Sequence, residues 1–241
     1  MKIEITEKQL EFINESLLSE GGIRDINKLA QRYPKAEIYF HQDLDGVVSA
    51  LGMKNYLEKY GIDVIDTHVI QYGDKEFSVK KPSASDDVMP VLVDFAHGKP
   101  IFKIHTDHHD SQAGVEDDTA TQFRGARSNV ETISQTISPS DIFTDEDIMM
   151  INTVDSADYA KHDIEPEQVM NLIRDFESGD QTYEKRWMLG LLTNKLLLAY
   201  KNKPGFLEHL VMNSSPSLMN IYQNITSYAK EKGFASPEEM A

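Results

Sequence analysis

IYFHQDLDGVVSALGMKNYLEKYG, residues 38–61, decides the architecture. The apolar run Ile38-Tyr-Phe40 stops at His41, and the polar stretch Gln42–Gly46 reads as a loop. From Val47 to Tyr60 the apolar residues recur at helical spacing, and Gly61 closes the segment in the manner of a helix C-terminus. This strand–loop–helix unit is repeated downstream. Val64–Ile70, Val91–Val93 and Ile101–Ile104 read as further strands, and about 129–138 and 145–154 read as helices. Such alternation predicts an α/β domain with a largely parallel sheet and flanking helices. On either side of it the pattern is helical. Residues 1–34 form a helical N-terminal extension, with a capping box at Thr6–Gln9, apolar Leu10, Ile13, Leu17 and Leu18, a break at Gly21-Gly22 and a stop at Pro34. Residues 166–241 read as an all-helical C-terminal part packed on the α/β domain of 35–165, with Pro166 opening one helix and others near 182–201 and 216–231.

Open parallel sheets place ligands at the carboxyl ends of their strands. Three predicted strands here end in residues that bind hard cations: His41-Gln-Asp43-Leu-Asp45-Gly46, then Asp94, then His105-Thr-Asp107-His108-His109-Asp110. Each has an ordinary explanation when taken alone. Asp-x-Asp-Gly is a common turn, and an Asp behind a strand often caps the next helix. Together, in this order, they point to one site. Five of the eight histidines (His41, His97, His105, His108 and His109) fall in or beside these segments, so the clustering is not spread over the chain. An Asp-x-Asp pair on a tight loop can supply one carboxylate to each of two divalent ions, and an isolated carboxylate at the end of a neighbouring strand, as Asp94 is, can bridge them. Gly46 lets the backbone turn sharply before the next helix. Two such ions, about 3.5–4 Å apart, neutralise a phosphate and lower the pKa of a water between them.

The composition narrows the chemistry. No cysteine is present, which excludes disulfides and thiolate metal sites and leaves oxygen and imidazole ligands, suited to Mn²⁺ and, for the carboxylates, Mg²⁺. The formal charge is −16; two divalent ions would add four positive charges and leave −12. That surface suits a short anionic substrate and argues against wrapping long duplex DNA. The N-terminus shows no signal-peptide pattern and no apolar run reaches the length of a membrane span, so a cytoplasmic protein without membrane contact is expected.

As an ordered set these motifs resemble the DHH phosphoesterase superfamily, which includes RecJ-like exonucleases, nano-RNases, cyclic-dinucleotide phosphodiesterases and family II pyrophosphatases. The name-giving motif stands as Asp107-His108-His109, the first as His41-Gln-Asp43-Leu-Asp45-Gly46, the second as Val91-Leu-Val-Asp94, and the fourth as the acidic residue within Asn152–Asp158. The resemblance covers roughly residues 36–160. It implies two Mn²⁺ ions, with Mg²⁺ as the other choice, held by His41, Asp43, Asp45, Asp94, His108 and Asp155. Asp158 is the other candidate for the fourth-motif ligand, since on a helix it shares a face with Asp155. The resemblance makes Asp107 and His109 the catalytic pair beside the metals, with His109 stabilising the phosphate or protonating the leaving group. Arg124 and Arg127, just past the third motif, are the candidate phosphate-binding residues, or else exposed arginines on a solvated loop. Ser128-Asn-Val-Glu131 matches a Ser-x-x-Glu helix start seen in the family and reads equally as a capping box.

Two departures accompany the likeness. Pyrophosphatase-like members carry a histidine four residues before the first aspartate, where this chain has Tyr39; His41 sits two before it and either binds metal or braces a ligand. No glycine-rich basic segment of the usual second, substrate-binding domain follows residue 160. The implied function is hydrolysis of phosphodiester bonds in a short oligonucleotide or small nucleotide, a nuclease-like reaction in which a hydroxide bridging two metals attacks in line. The alternatives are a pyrophosphatase or monophosphatase, and a catalytically degenerate module that binds a nucleotide or a protein.

Overall fold

The fold, described from a computed structural model, covers residues 23, 25–71, 85–96, 101–109, 120–122, 125–137, 143–158, 187–203 and 205–233. It is an α/β fold. Five parallel strands run β1 (Lys35–His41), β2 (Asp63–Ile70), β3 (Val88–Val93), β4 (Ile104–Thr106) and β5 (Ala120–Gln122), in the spatial order β2-β1-β3-β4-β5. The described helices are α1 (Ile26–Arg32), α2 (Leu44–Lys59), α3 (Asn129–Thr136), α4 (Asp145–Asp155), α5 (Trp187–Tyr200), α6 (Phe206–Asn213) and α7 (Leu218–Glu231). The helical reading of residues 1–22 and the helix expected at Pro166 lie outside the described residues.

β1 shows how the sheet divides the interior. Ala36, Ile38 and Phe40 are buried toward one face, whereas Glu37, Tyr39 and His41 are partly exposed toward the other. On the first face lies α2, buried from Leu44 through Met53 and again at Tyr56 and Leu57. A helix apolar nearly all round must be enclosed, and α2 packs against β1, β2 and β3 as well as α3, α4, α5 and α6. One continuous core joins Ile38 and Phe40 to Ile133 of α3, Ile151 of α4, Leu196 of α5, Phe206 of α6 and Ile221 of α7. The opposite face carries a smaller cluster of Ile70, Leu92, Phe95 and Phe102.

The sequence expectation needs three adjustments. The strand foreseen at Ile101–Ile104 is displaced, since its ladder pairs Val91 with Ile104 and Val93 with Thr106. Ile101 and Phe102 are apolar because they pack on the smaller cluster. β5 was not foreseen. Neither was α6, which buries Phe206, Leu207, Leu210 and Val211 against β2 and α2 behind a left-handed Gly205. Within α5, Leu189, Leu192, Leu196 and Leu197 are buried in the core, while Leu198 is exposed. Among the described residues no helix is long and apolar enough to cross a membrane.

Candidate metal centre

The strand order reverses direction beside β1: the chain steps from β1 outward to β2 and then returns to β3 on the other side. A crevice opens at such a point at the carboxyl ends of the strands. His41 ends β1 and Asp94 follows β3, so both flank it.

The first motif is less of a loop than its sequence suggests. Asp43 is the N-cap of α2, its Oδ1 accepting the Gly46 N–H at 2.9 Å. Asp45 lies inside the first helical turn and is buried. The cap satisfies a helix-end donor and thereby fixes the first carboxylate. Gly46 serves close approach and not a sharp turn. A Cβ there would meet the His41 carbonyl oxygen at 2.2 Å, so any side chain would force β1 and α2 apart.

Asp94 follows β3 with φ 53, in the left-handed region that non-glycine residues seldom occupy. Its N–H is tied to the Thr106 carbonyl at 2.9 Å, which holds the unusual backbone against β4. Asp107 comes directly after β4. Its Oδ1 accepts the His108 N–H at 2.9 Å and lies 2.6 Å from His109 Nδ1. Asp155 is the last residue of α4, which ends in a Schellman turn: Asp158 N–H bonds to the Thr153 carbonyl at 3.0 Å and Ala157 N–H to that of Val154 at 3.3 Å. The left-handed residue of that turn is Ala157, with φ 53.

These elements bring together six of the expected ligands in two sets. His41, Asp43 and Asp94 offer ligand atoms within 4.8 Å of one another, as do Asp45, His108 and Asp155. Asp94 faces both: its Oδ2 lies 4.0 Å from His41 Nδ1 and its Oδ1 3.6 Å from His108 Nε2. His108 Nε2 is also 3.6 Å from Asp45 Oδ2 and 3.5 Å from Asp155 Oδ2. A third grouping, Asp94 with His108 and His109, adds His109 as a possible ligand. Asp158 joins none of the groups found among the described residues. Arg127 carries its guanidinium half in solvent, with Nε 3.7 Å from Glu131. Arg124 and His97 lie outside the described residues. His105 is buried within β4 with Nε2 2.9 Å from the Phe95 carbonyl, a satisfied core histidine.

The electrostatics of the two sets differ. In the first, burial pushes Asp43 upward, but its hydrogen bond to His41, the charge of that ring and the Gly46 N–H outweigh it and hold the carboxyl below its ordinary range. In the second, burial drives Asp45 up to about 7 despite two backbone donors. Burial and the Asp45 charge likewise bring Asp155 to about 7. Asp94 is pushed well above its ordinary range by burial and then by Asp45, Asp43, Asp155 and Asp107. Buried like charges this close cannot all ionise without a compensating cation. Asp94 Oδ1 is buried with no hydrogen-bond partner among the described residues, 3.6 Å from His108 Nε2. Carboxylates and imidazoles with no thiol form a donor set for hard or borderline divalent ions. The residues present therefore fit a pair of such cations.

Sequence reasoning missed the residues that hold Asp45: Ser49, Asn129 and Val130, with Asn129 in turn held by Thr106. The only local signal was the Ser128-x-x-Glu131 capping pattern, which marked a helix start. Ser128 does cap α3, accepting the Glu131 N–H at 3.1 Å.

No protein-family model and no curated protein matches the chain. Among solved structures it is similar to a crystal structure described as an uncharacterized protein from Helicobacter pylori G27. The likeness has 16% identity and a TM-score of 0.38 and covers 82% of this chain and 71% of that one.

Proposed function

We propose that the protein is a divalent-metal-dependent phosphoesterase that hydrolyses phosphodiester bonds in a short oligonucleotide or small nucleotide. The observation that carries this reading is the Asp94 carboxylate, whose two oxygens face two separate His/Asp sets across 4.0 Å and 3.6 Å. That is the arrangement a bridging ligand requires. The order of the motifs, with its likeness to DHH phosphoesterases, points the same way.

The cations, Mn²⁺ or Mg²⁺, supply positive charge against the phosphate oxygens and activate water for in-line attack. His41, Asp43 and Asp94 would hold one, and Asp45, His108 and Asp155 the other, with Asp94 facing both. His109 supplies the proton. Its hydrogen bond to Asp107 raises its pKa, so the imidazolium persists to higher pH and can protonate the departing alkoxide. Asp107, itself fully buried, fixes the ring by accepting from it and sets the His108 backbone in the same turn. Arg127, and Arg124 beside it in sequence, are the guanidinium groups available to receive phosphate oxygens in a fork. The net charge of −16 favours a short substrate over a duplex.

The test is hydrolysis of bis-p-nitrophenyl phosphate with Mn²⁺ by the wild type and Asp94→Ala, with circular dichroism to check folding. Activity in the wild type and none in a folded variant is the expected result. Near-normal turnover by the variant would sink the two-metal reading. Comparing pyrophosphate, a mononucleotide and a short oligonucleotide then separates the substrate classes.

A further inference from the structure

The two sets of ligands are anchored by different means. Asp43 is held by its own neighbours, the Gly46 N–H and His41. Asp45 is held from far along the chain: its Oδ2 accepts the Asn129 N–H at 2.6 Å and its Oδ1 the Val130 N–H at 3.0 Å. Both donors belong to the first turn of α3, so the positive end of that helix faces the carboxylate. The Asn129 side chain donates to Ser49 at 3.0 Å and Thr106 at 3.2 Å, pinning the turn to α2 and β4.

The same turn also grips α4. Ser128 Oγ and Asn152 Oδ1 are 2.6 Å apart, and Asn152 Nδ2 donates to Glu131 Oε2 at 3.2 Å. Glu131 completes the knot by accepting the Arg127 N–H at 2.9 Å. Asn152 lies three residues before Asp155 on α4, which puts both on one face of the helix. Ser128, Asn129 and Asn152 are all buried, where losing a hydrogen-bond partner is costly.

We infer that Ser128 and Asn152 are positioning residues for one cation of the pair: they join the α3 turn that holds Asp45 to the helix that presents Asp155, so both carboxylates converge on His108. The inference rests on the proposed metal centre and adds that its two sites are separable. Breaking the Ser128–Asn152 link releases Asp155 from Asp45 and leaves His41, Asp43 and Asp94 in place.

The experiment is titration of the metal-free full chain with Mn²⁺ by calorimetry, with electron paramagnetic resonance to distinguish a spin-coupled pair from an isolated ion. The wild type binds two ions and shows the coupled signal. Asn152→Ala retains one ion at wild-type affinity and binds the second about 10- to 100-fold more weakly, the usual cost of removing a group that orients a ligand. The coupled signal gives way to that of a single ion. Ser128→Ala behaves alike, Ser128→Thr keeps the hydroxyl and retains both ions, and if Asn152→Ala fails to fold the Ser128 pair carries the test. Two ions bound at unchanged affinity by Ser128→Ala or by folded Asn152→Ala would overturn the inference, as would loss of both. A wild type that binds fewer than two ions would instead sink the two-metal reading itself.

Discussion

The set built on His41 and Asp43 and the set built on Asp45, His108 and Asp155 use the same residue types and share Asp94, yet they are opposite in construction. The first is local: two residues of one strand-to-helix junction bond to each other at 2.6 Å, and against the pull of burial that contact and the Gly46 N–H keep Asp43 below its ordinary range. The second is assembled from three distant segments, and two of its carboxyls are pushed to about 7, first by burial and then by neighbouring carboxylates. A site made of sequence neighbours can be stable without its ion, whereas one made of remote like charges leans on the ion for stability.

The most severe way to break this contrast is at the shared residue. Asp94→Ala should lower Mn²⁺-dependent phosphodiester hydrolysis by more than about a thousandfold, equivalent to roughly 4 kcal/mol in the barrier. Steady-state kinetics on the folded variant would check it, and a loss of less than tenfold would mean that neither set depends on Asp94.

Gly46→Ala strikes the backbone beneath both sets. With its Cβ 2.2 Å from the His41 carbonyl oxygen, it should cost about 3 kcal/mol and lower the melting temperature by roughly 10 °C. A melt within 2 °C of wild type would show that β1 and α2 can part without penalty.

Titration of the metal-free protein separates the two sets directly. Asp45, Asp94 and Asp155 have folded pKa values raised above the ordinary 3.8, so the folded state holds more protons than the unfolded one from about pH 4 to 7. Stability must then fall as pH rises through that window. Asp43, lowered, contributes a constant amount there and loses it only below about pH 4. Thermal melts should drop by about 5 °C between pH 5 and pH 8. Mn²⁺ should restore more at pH 8 than at pH 5, because the ion competes with protons. Asp155→Asn should flatten the profile, and an unchanged slope in that variant would remove the second set as its source.

The smallest effect is expected at Ala157, whose φ of 53 suits glycine. Ala157→Gly should stabilise the metal-free fold by about 1 kcal/mol, read as a melt roughly 3 °C higher. No gain would mean that the turn behind Asp155 is unstrained.

The local set was the legible one. Ile38–Gly46 announces a strand, a polar junction and its ligands in nine consecutive letters, although it conceals that Asp45 is already helical and that Gly46 is there for clearance. Asp94 and His108 were readable because each follows a strand. Spacing could not separate Asp155 from Asp158, since both suit one helical face; the fold does, with α4 ending at Asp155, a left-handed Ala157 between the two, and only Asp155 beside Asp45 and His108 among the described residues. Nor could the spacing reveal that Asn129 and Asn152 serve the site, because their partners lie on other elements. α6 escaped notice for a different reason: eight residues give too few periods for an apolar face to stand out.

The position of α4 after the sheet strands also sets a timetable. His41, Asp43, Asp45, Asp94 and His108 leave the ribosome before Asn152 and Asp155, and chains acquire structure from the N-terminus as they are made. A nascent chain can therefore finish the strand-end half of its centre while the other half waits for α4 to dock. On the proposed two-cation reading, the second site would wait for the arrival of that helix, whereas the first would not.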